Sequence, residues 1–144
     1  MARKQGVELN LKIIKNDKGF RFDWDKEKGN EVYKLYILGE EEQILGIVSL
    51  IDMQEELRIH LNLIEVSRKH VGKLKRLDNI AGCLIAFACS IAFKRNYGGF
   101  VSLLPKTELI DLYQDKYGFR QYGRLLAVEF ESSKLLIEKY IGDE

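Results

Sequence analysis

The stretch from Arg68 to Arg95, RKHVGKLKRLDNIAGCLIAFACSIAFKR, most limits what this chain can fold into, because a basic, glycine-containing loop runs directly into the longest apolar helix the sequence can form. Ile80, Cys83, Leu84, Phe87, Ala88 and Ile91 recur at the spacing of one helical face, and Ile85, Ala86, Ala92 and Phe93 make much of the other face apolar. A helix of that composition is buried on most sides. Asp78 or Asn79 can cap its start, Lys94 and Arg95 suit its negative end, and Asn96 with Gly98 and Gly99 stops it.

Ahead of the helix, Arg68, Lys69, Lys73, Lys75 and Arg76 place five cations within nine residues. The free N–H groups and dipole of a helix N-terminus already favour an anion, so a pyrophosphate could be held there. A solvated charged loop, with Asp78 as a plain helix cap, explains the same residues.

A chain of 144 residues is expected to form one domain, residues 1–144, large enough to bury a core. Its 31% of charged residues leaves a formal net charge of only +1, so the cations of the loop are a local feature and not the footprint of a basic protein. Cys83 and Cys89 lie six apart on the expected helix, about 9 Å along its axis, too far for a disulfide. They read as core residues. With no signal peptide and no apolar run long enough to cross a bilayer, the expected location is the cytoplasm, without a membrane partner. No group of His, Cys, Asp and Glu has metal-ligand spacing, so no metal is expected.

In chain order, Glu8 to Ile14, a turn over Lys15 to Gly19, and Phe20, Phe22 and Trp24 on one side of a second short strand read as a hairpin with an aromatic face, for which core packing outweighs a ligand-stacking role. Val32 to Leu38, Ile44 to Asp52 and Leu57 to Val66 follow as a meander. Beyond the helix come a strand from Phe100 to Leu104 ended by the only proline, Pro105, a helix from Thr107 to Tyr117 closed by Gly118, strands over Phe119 to Tyr122 and Leu125 to Glu131, and a last helix through Tyr140 capped by Ser132 or Ser133. The strand, helix, strand passage requires at least one parallel pairing in an otherwise antiparallel sheet.

That order of elements, from about Val32 to Phe130, resembles the later part of the Gcn5-related N-acetyltransferases (GNAT). Ile64-Glu65-Val66 followed by Arg76-Leu77-Asp78-Asn79-Ile80-Ala81 is similar to the fourth strand and pyrophosphate loop of that family, with Asn79 where the family has its first glycine. Leu109 to Tyr113 and then Tyr117-Gly118-Phe119 resemble its later helix and the Gly-Phe that follows. The resemblance implies an α/β (α+β) GNAT-like fold: a mixed, mostly antiparallel sheet flanked by helices, with an N-terminal hairpin in place of the usual first helices.

The resemblance further implies acetyl-CoA (CoA) as cofactor and transfer of an acetyl group to a primary amine on a small molecule or peptide. Backbone at Ile64 to Val66 would polarise the thioester, amides of Leu77, Asp78, Asn79, Ile80, Ala81 and Gly82 would hold the pyrophosphate, and Arg68, Lys73 and Arg76 would add charge, with Thr107 on the pantetheine arm. Glu65 is the expected general base, with His60 as alternative, and on a regular strand the two point to opposite faces. Tyr113 is the expected general acid, with Tyr117 as alternative. A catalytically weak GNAT-like binding or regulatory module is the second reading. A nucleic-acid role is set last, because the charge is near neutral and aromatic interleaving is absent; exposed late strands leave room for a homodimer.

Overall fold

A computed structural model describes residues 5–9, 20, 22–37, 40–67 and 74–142, with only the backbone described over 5–9, 25, 37, 40–43 and 74–79. Seven strands form a sheet in the order β1-β2-β3-β4-β5-β7-β6, with β1 Gln5–Leu9, β2 Glu31–Ile37, β3 Glu40–Met53, β4 Arg58–Val66, β5 Val101–Leu103, β6 Arg120–Tyr122 and β7 Leu125–Val128. Every pairing is antiparallel except β4 with β5, which is parallel. The crossover between those two strands is α1, Leu74–Lys94; α2, Ile110–Tyr117, and α3, Glu131–Tyr140, follow.

The main core lies between the sheet and α1. Leu84, Ile85, Ala88 and Ala92 of the helix are buried with Leu50, Ile59 and Val101 of the sheet. Cys83 and Cys89 are free thiols inside this core, and burial pushes them up to about 11 and about 12, so neither is a thiolate at neutral pH. The helix ends as its composition predicts: Asn96 takes a left-handed backbone (φ 66°), its N–H reaches the Phe93 carbonyl, and the Tyr97 N–H reaches that of Ala92.

α3 lies along α1. Gly82 is where the two helices touch, because a Cβ there would sit 2.3 Å from Cε1 of Tyr140. In an open helix Gly→Ala gains about 1 kcal/mol. Here Gly82→Ala is expected to lower stability by about 1–3 kcal/mol through overpacking. In a Tyr140→Ala background the same change should stabilise, an inversion that a double-mutant cycle of urea midpoints would read directly.

Three expected elements differ. Phe20 to Trp24 is not a strand: Trp24–Glu27 forms one 3₁₀ turn, and β1 instead pairs directly with β2. The cause is Trp24, 3% exposed, which packs into a second cluster with Val32 and Ile47 on the sheet face away from α1. Residues 10–19, including the expected turn from Lys15 to Gly19, lie outside the described residues. α1 begins at Leu74 and not at Asp78 or Asn79. The seryl cap of α3 is also absent: its N-cap is Phe130, and the buried Ser133 hydroxyl donates to the Gly99 carbonyl, pinning α3 to the loop after α1.

Candidate active site

The parallel pairing of β4 with β5 stops early. Ile59, His60 and Leu61 face Val101, Ser102 and Leu103, and then β5 ends. Pro105 has no N–H to continue a ladder, and the chain turns away through the 3₁₀ turn Thr107–Leu109 into α2. β4 runs on to Val66, so its 62–66 stretch has no strand beside it on that edge among the described residues. The strands part into a cleft of about 430 Å³, floored by 61–66 and walled by Leu103, Leu104, Pro105, Leu109 and Tyr113, with Phe22 and Lys106 at its mouth. Alternate peptide groups of an unpaired strand edge present N–H and C=O to such a gap. These are groups that a slim, amide-bearing chain can pair with.

A bulge shapes this floor. Ser49 pairs with Leu63 while Leu50 pairs with Leu61, leaving Asn62 as the extra residue. Ile59 and Leu61 before it, and Ile64 and Val66 after it, all pack towards α1, whereas Leu63 packs with the Trp24 cluster. The regular alternation that separated His60 from Glu65 therefore fails, and both lie on the face away from α1. Asn62 itself donates to Glu27 Oε1 at 2.7 Å.

Glu65 is buried at 8% exposure in the cleft wall, and its Oε1 accepts the Phe22 N–H and the Trp24 Nε1–H, each at 3.1 Å. His60 is not part of the cleft lining. Its Nδ1 lies 3.2 Å from Arg58 Nη1 and 3.0 Å from Ser102 Oγ, and the Arg58 guanidinium also donates to that hydroxyl. Burial, and then the Arg58 charge, holds the imidazole pKa below its ordinary value. Of the two candidates, only Glu65 reaches the cleft.

Tyr113 lines the cleft, and burial raises its phenol above the ordinary value. Its ring is set by Phe119, edge-on with centroids 5.5 Å apart, and by Tyr117 at 6.0 Å. Tyr117 is 4% exposed and faces the core against Tyr140. Gly118, at φ 75°, ends α2 with its N–H on the Tyr113 carbonyl, which fixes the turn carrying these rings. Thr107 is exposed and outside the cleft lining, its neighbour Lys106 being the residue at the mouth.

The expected pyrophosphate loop falls largely within α1. Asp78, Asn79, Ile80, Ala81 and Gly82 lie within α1, where their amides bond to carbonyls four residues back and are not open to a phosphate. Leu77 also lies past the first three amides, so Leu74, Lys75 and Arg76 supply the N–H groups that have no partner within the helix. The apolar period of the helix extends back through Leu77 and Leu74, and Asn79 in place of glycine offers no break. Ile80 is 1% exposed in the core, and Gly82 serves helix packing. Arg68 and Lys73 lie outside the described residues, as do the side chains of Arg76, Leu77, Asp78 and Asn79.

Sequence reasoning missed Phe22 and Lys106. Phe22 was visible only as one of three alternating aromatics, and a single lysine after Pro105 carries no signal of its own. Among the described residues no group of His, Cys, Asp and Glu is placed to hold a metal, and no helix is long and apolar enough to cross a membrane.

No protein-family model matches the sequence, and no curated protein does so. Solved structures do match. The AtaTR complex bound with AcCoA aligns over 94% of this chain and 99% of its own, at 14% identity and TM-score 0.56. AtaT complexed with acetyl-methionyl-tRNAfMet aligns over 92% and 99%, at 15% identity and TM-score 0.55. A GNAT-family acetyltransferase from Listeria monocytogenes 4b F2365 aligns over 74% and 69%, at 19% identity and TM-score 0.52. The chain has the fold of the Gcn5-related N-acetyltransferases.

Proposed function

We propose that this protein is a single-domain, cytoplasmic acetyl-CoA-dependent N-acetyltransferase acting on a primary amine. The observation that carries the reading is the cleft where β4 leaves β5, floored by the Asn62 bulge and flanked by both Glu65 and Tyr113. Acetyl-CoA, when bound, supplies the acetyl group as an activated thioester. The edge of β4 at Ile64 to Val66, with no strand beside it among the described residues, fits its amide-bearing arm, and the first turn of α1, Leu74 to Arg76, offers its phosphates N–H groups that have no partner within the helix and the positive end of the helix dipole.

Glu65 is the group placed to take a proton from the amine. Tyr113, protonated at neutral pH because burial disfavours its phenolate, holds a proton for the departing sulfur. The acceptor is an amine on a small molecule or peptide. AtaT in complex with acetyl-methionyl-tRNAfMet adds an amine carried on RNA to the candidate classes, one that near-neutral charge does not exclude.

The run of α1 through the expected glycine loop favours a second reading, a GNAT-like module that binds weakly and does not turn over. Calorimetric titration with acetyl-CoA and with CoA tests the first. Saturable binding near micromolar, about −8 kcal/mol, followed by CoA release with an amine, supports the transferase. Absence of binding to either removes it.

A further inference from the structure

The mouth of the cleft has a distinct chemistry. Its lining is largely apolar, with Asn62, Glu65 and the Tyr113 phenol as the polar groups inside, and the Lys106 ammonium lies over the Phe22 ring, 6.0 Å from the centroid, bridging the N-terminal segment and the β5–α2 turn. Glu65 is the one carboxylate in the lining among the described residues, and it already accepts from the Phe22 amide and the Trp24 indole. Glu27, outside the lining, accepts from Asn62 and Asn30.

We infer that the mouth of the cleft, beyond the acetyl-CoA arm on the β4 edge, selects an acceptor whose amine is carried beside an apolar group and whose remaining charge is negative, and that it rejects polycations such as polyamines and aminoglycosides; this rests on the acetyl-transfer reading above. An apolar substituent replaces water against Leu63, Leu104 and Phe22. An anionic group then meets Lys106, whose ammonium sits at the rim over the Phe22 ring. A second ammonium would enter a largely apolar wall that offers no additional carboxylate among the described residues, with Lys106 opposing it. Like charges brought together in this way cost binding energy and suppress the wrong ligand.

The test uses the full chain saturated with CoA and titrates amine probes by calorimetry, so that it does not depend on turnover. The emission of Trp24, the only tryptophan, locates each binding event at the Glu65 wall. The probes are the dipeptides Met-Asp and Met-Lys, spermidine, and methionyl-phosphoserine to tell a phosphate from a carboxylate source. Met-Asp or methionyl-phosphoserine should bind at least about tenfold more tightly than Met-Lys and spermidine. Lys106→Glu, a change at an exposed position, should abolish or invert that order. The inference is overturned if spermidine binds as tightly as Met-Asp, if Lys106→Glu leaves the order unchanged, or if CoA binds and none of the anionic probes does. Failure of CoA itself to bind overturns the acetyl-transfer reading instead, and is seen before any probe is added.

Discussion

Tyr113→Phe is expected to lower kcat by about a hundredfold or more, the usual contribution of a positioned general acid, while leaving the affinity for acetyl-CoA unchanged. The substitution removes one hydroxyl and keeps the ring, so the packing against Phe119 and Tyr117 persists and the fold should not respond. The pH dependence supplies a second readout. Burial raises the Tyr113 pKa above 10.0, so the protonated form persists to higher pH than in a free tyrosine. Activity that needs that proton is present below the raised value and lost as pH climbs through it. The alkaline limb should therefore lie above that of an ordinary tyrosine in the native protein and vanish in the variant. Tyr117→Phe, altering a ring that faces the core, should leave kcat near the native value. An unchanged kcat in Tyr113→Phe would remove the tyrosine from the chemistry.

The fold was legible where one local signal was strong enough to survive tertiary context. α1 announced itself through apolar residues on nearly all sides, and its end through Asn96 and the two glycines after it, which do adopt left-handed backbones. The three-strand meander and the parallel pairing also followed, because a strand, helix, strand order leaves few topologies. What failed was the N-terminal hairpin. The alternation of Phe20, Phe22 and Trp24 is a valid strand pattern, but burying the Trp24 indole against Val32 and Ile47 requires a 3₁₀ turn at that residue. Local periodicity carries no information about a partner such as Ile47, twenty-three residues away.

The site was legible in its parts and not in its arrangement. Glu65 and Tyr113 do come to one cleft, on strand and helix as expected. The bulge at Asn62 has no sequence signature that separates it from a regular strand, yet it alone decides that His60 and Glu65 share a face. The start of α1 was misplaced because Asp78 and Asn79 are good caps in isolation. The apolar residues Leu74 and Leu77 before them continue the helical period, and the continued helix consumes the very amides expected to hold phosphate.

Trp24→Ala is expected to cost about 3–5 kcal/mol, a large share of the roughly 5–15 kcal/mol that holds a domain together. The indole is 3% exposed between Val32 and Ile47, with Phe20, Ile44 and Leu63 around it, and truncation leaves a cavity that a sheet face cannot close. It also takes from Glu65 one of its donors, leaving a buried carboxylate short of a hydrogen bond. Trp24→Phe separates the two contributions: it keeps most of the volume and loses only the N–H, so it should cost about 1–3 kcal/mol. Urea unfolding followed by far-ultraviolet circular dichroism gives both values, since the variants lack the fluorophore. A cost below about 1 kcal/mol for the alanine variant would mean that the segment around Phe22 is not held as part of the folded domain. The cleft would then be bounded by β4, β5 and α2 alone, and Phe22 would lose its place at the mouth beside Lys106.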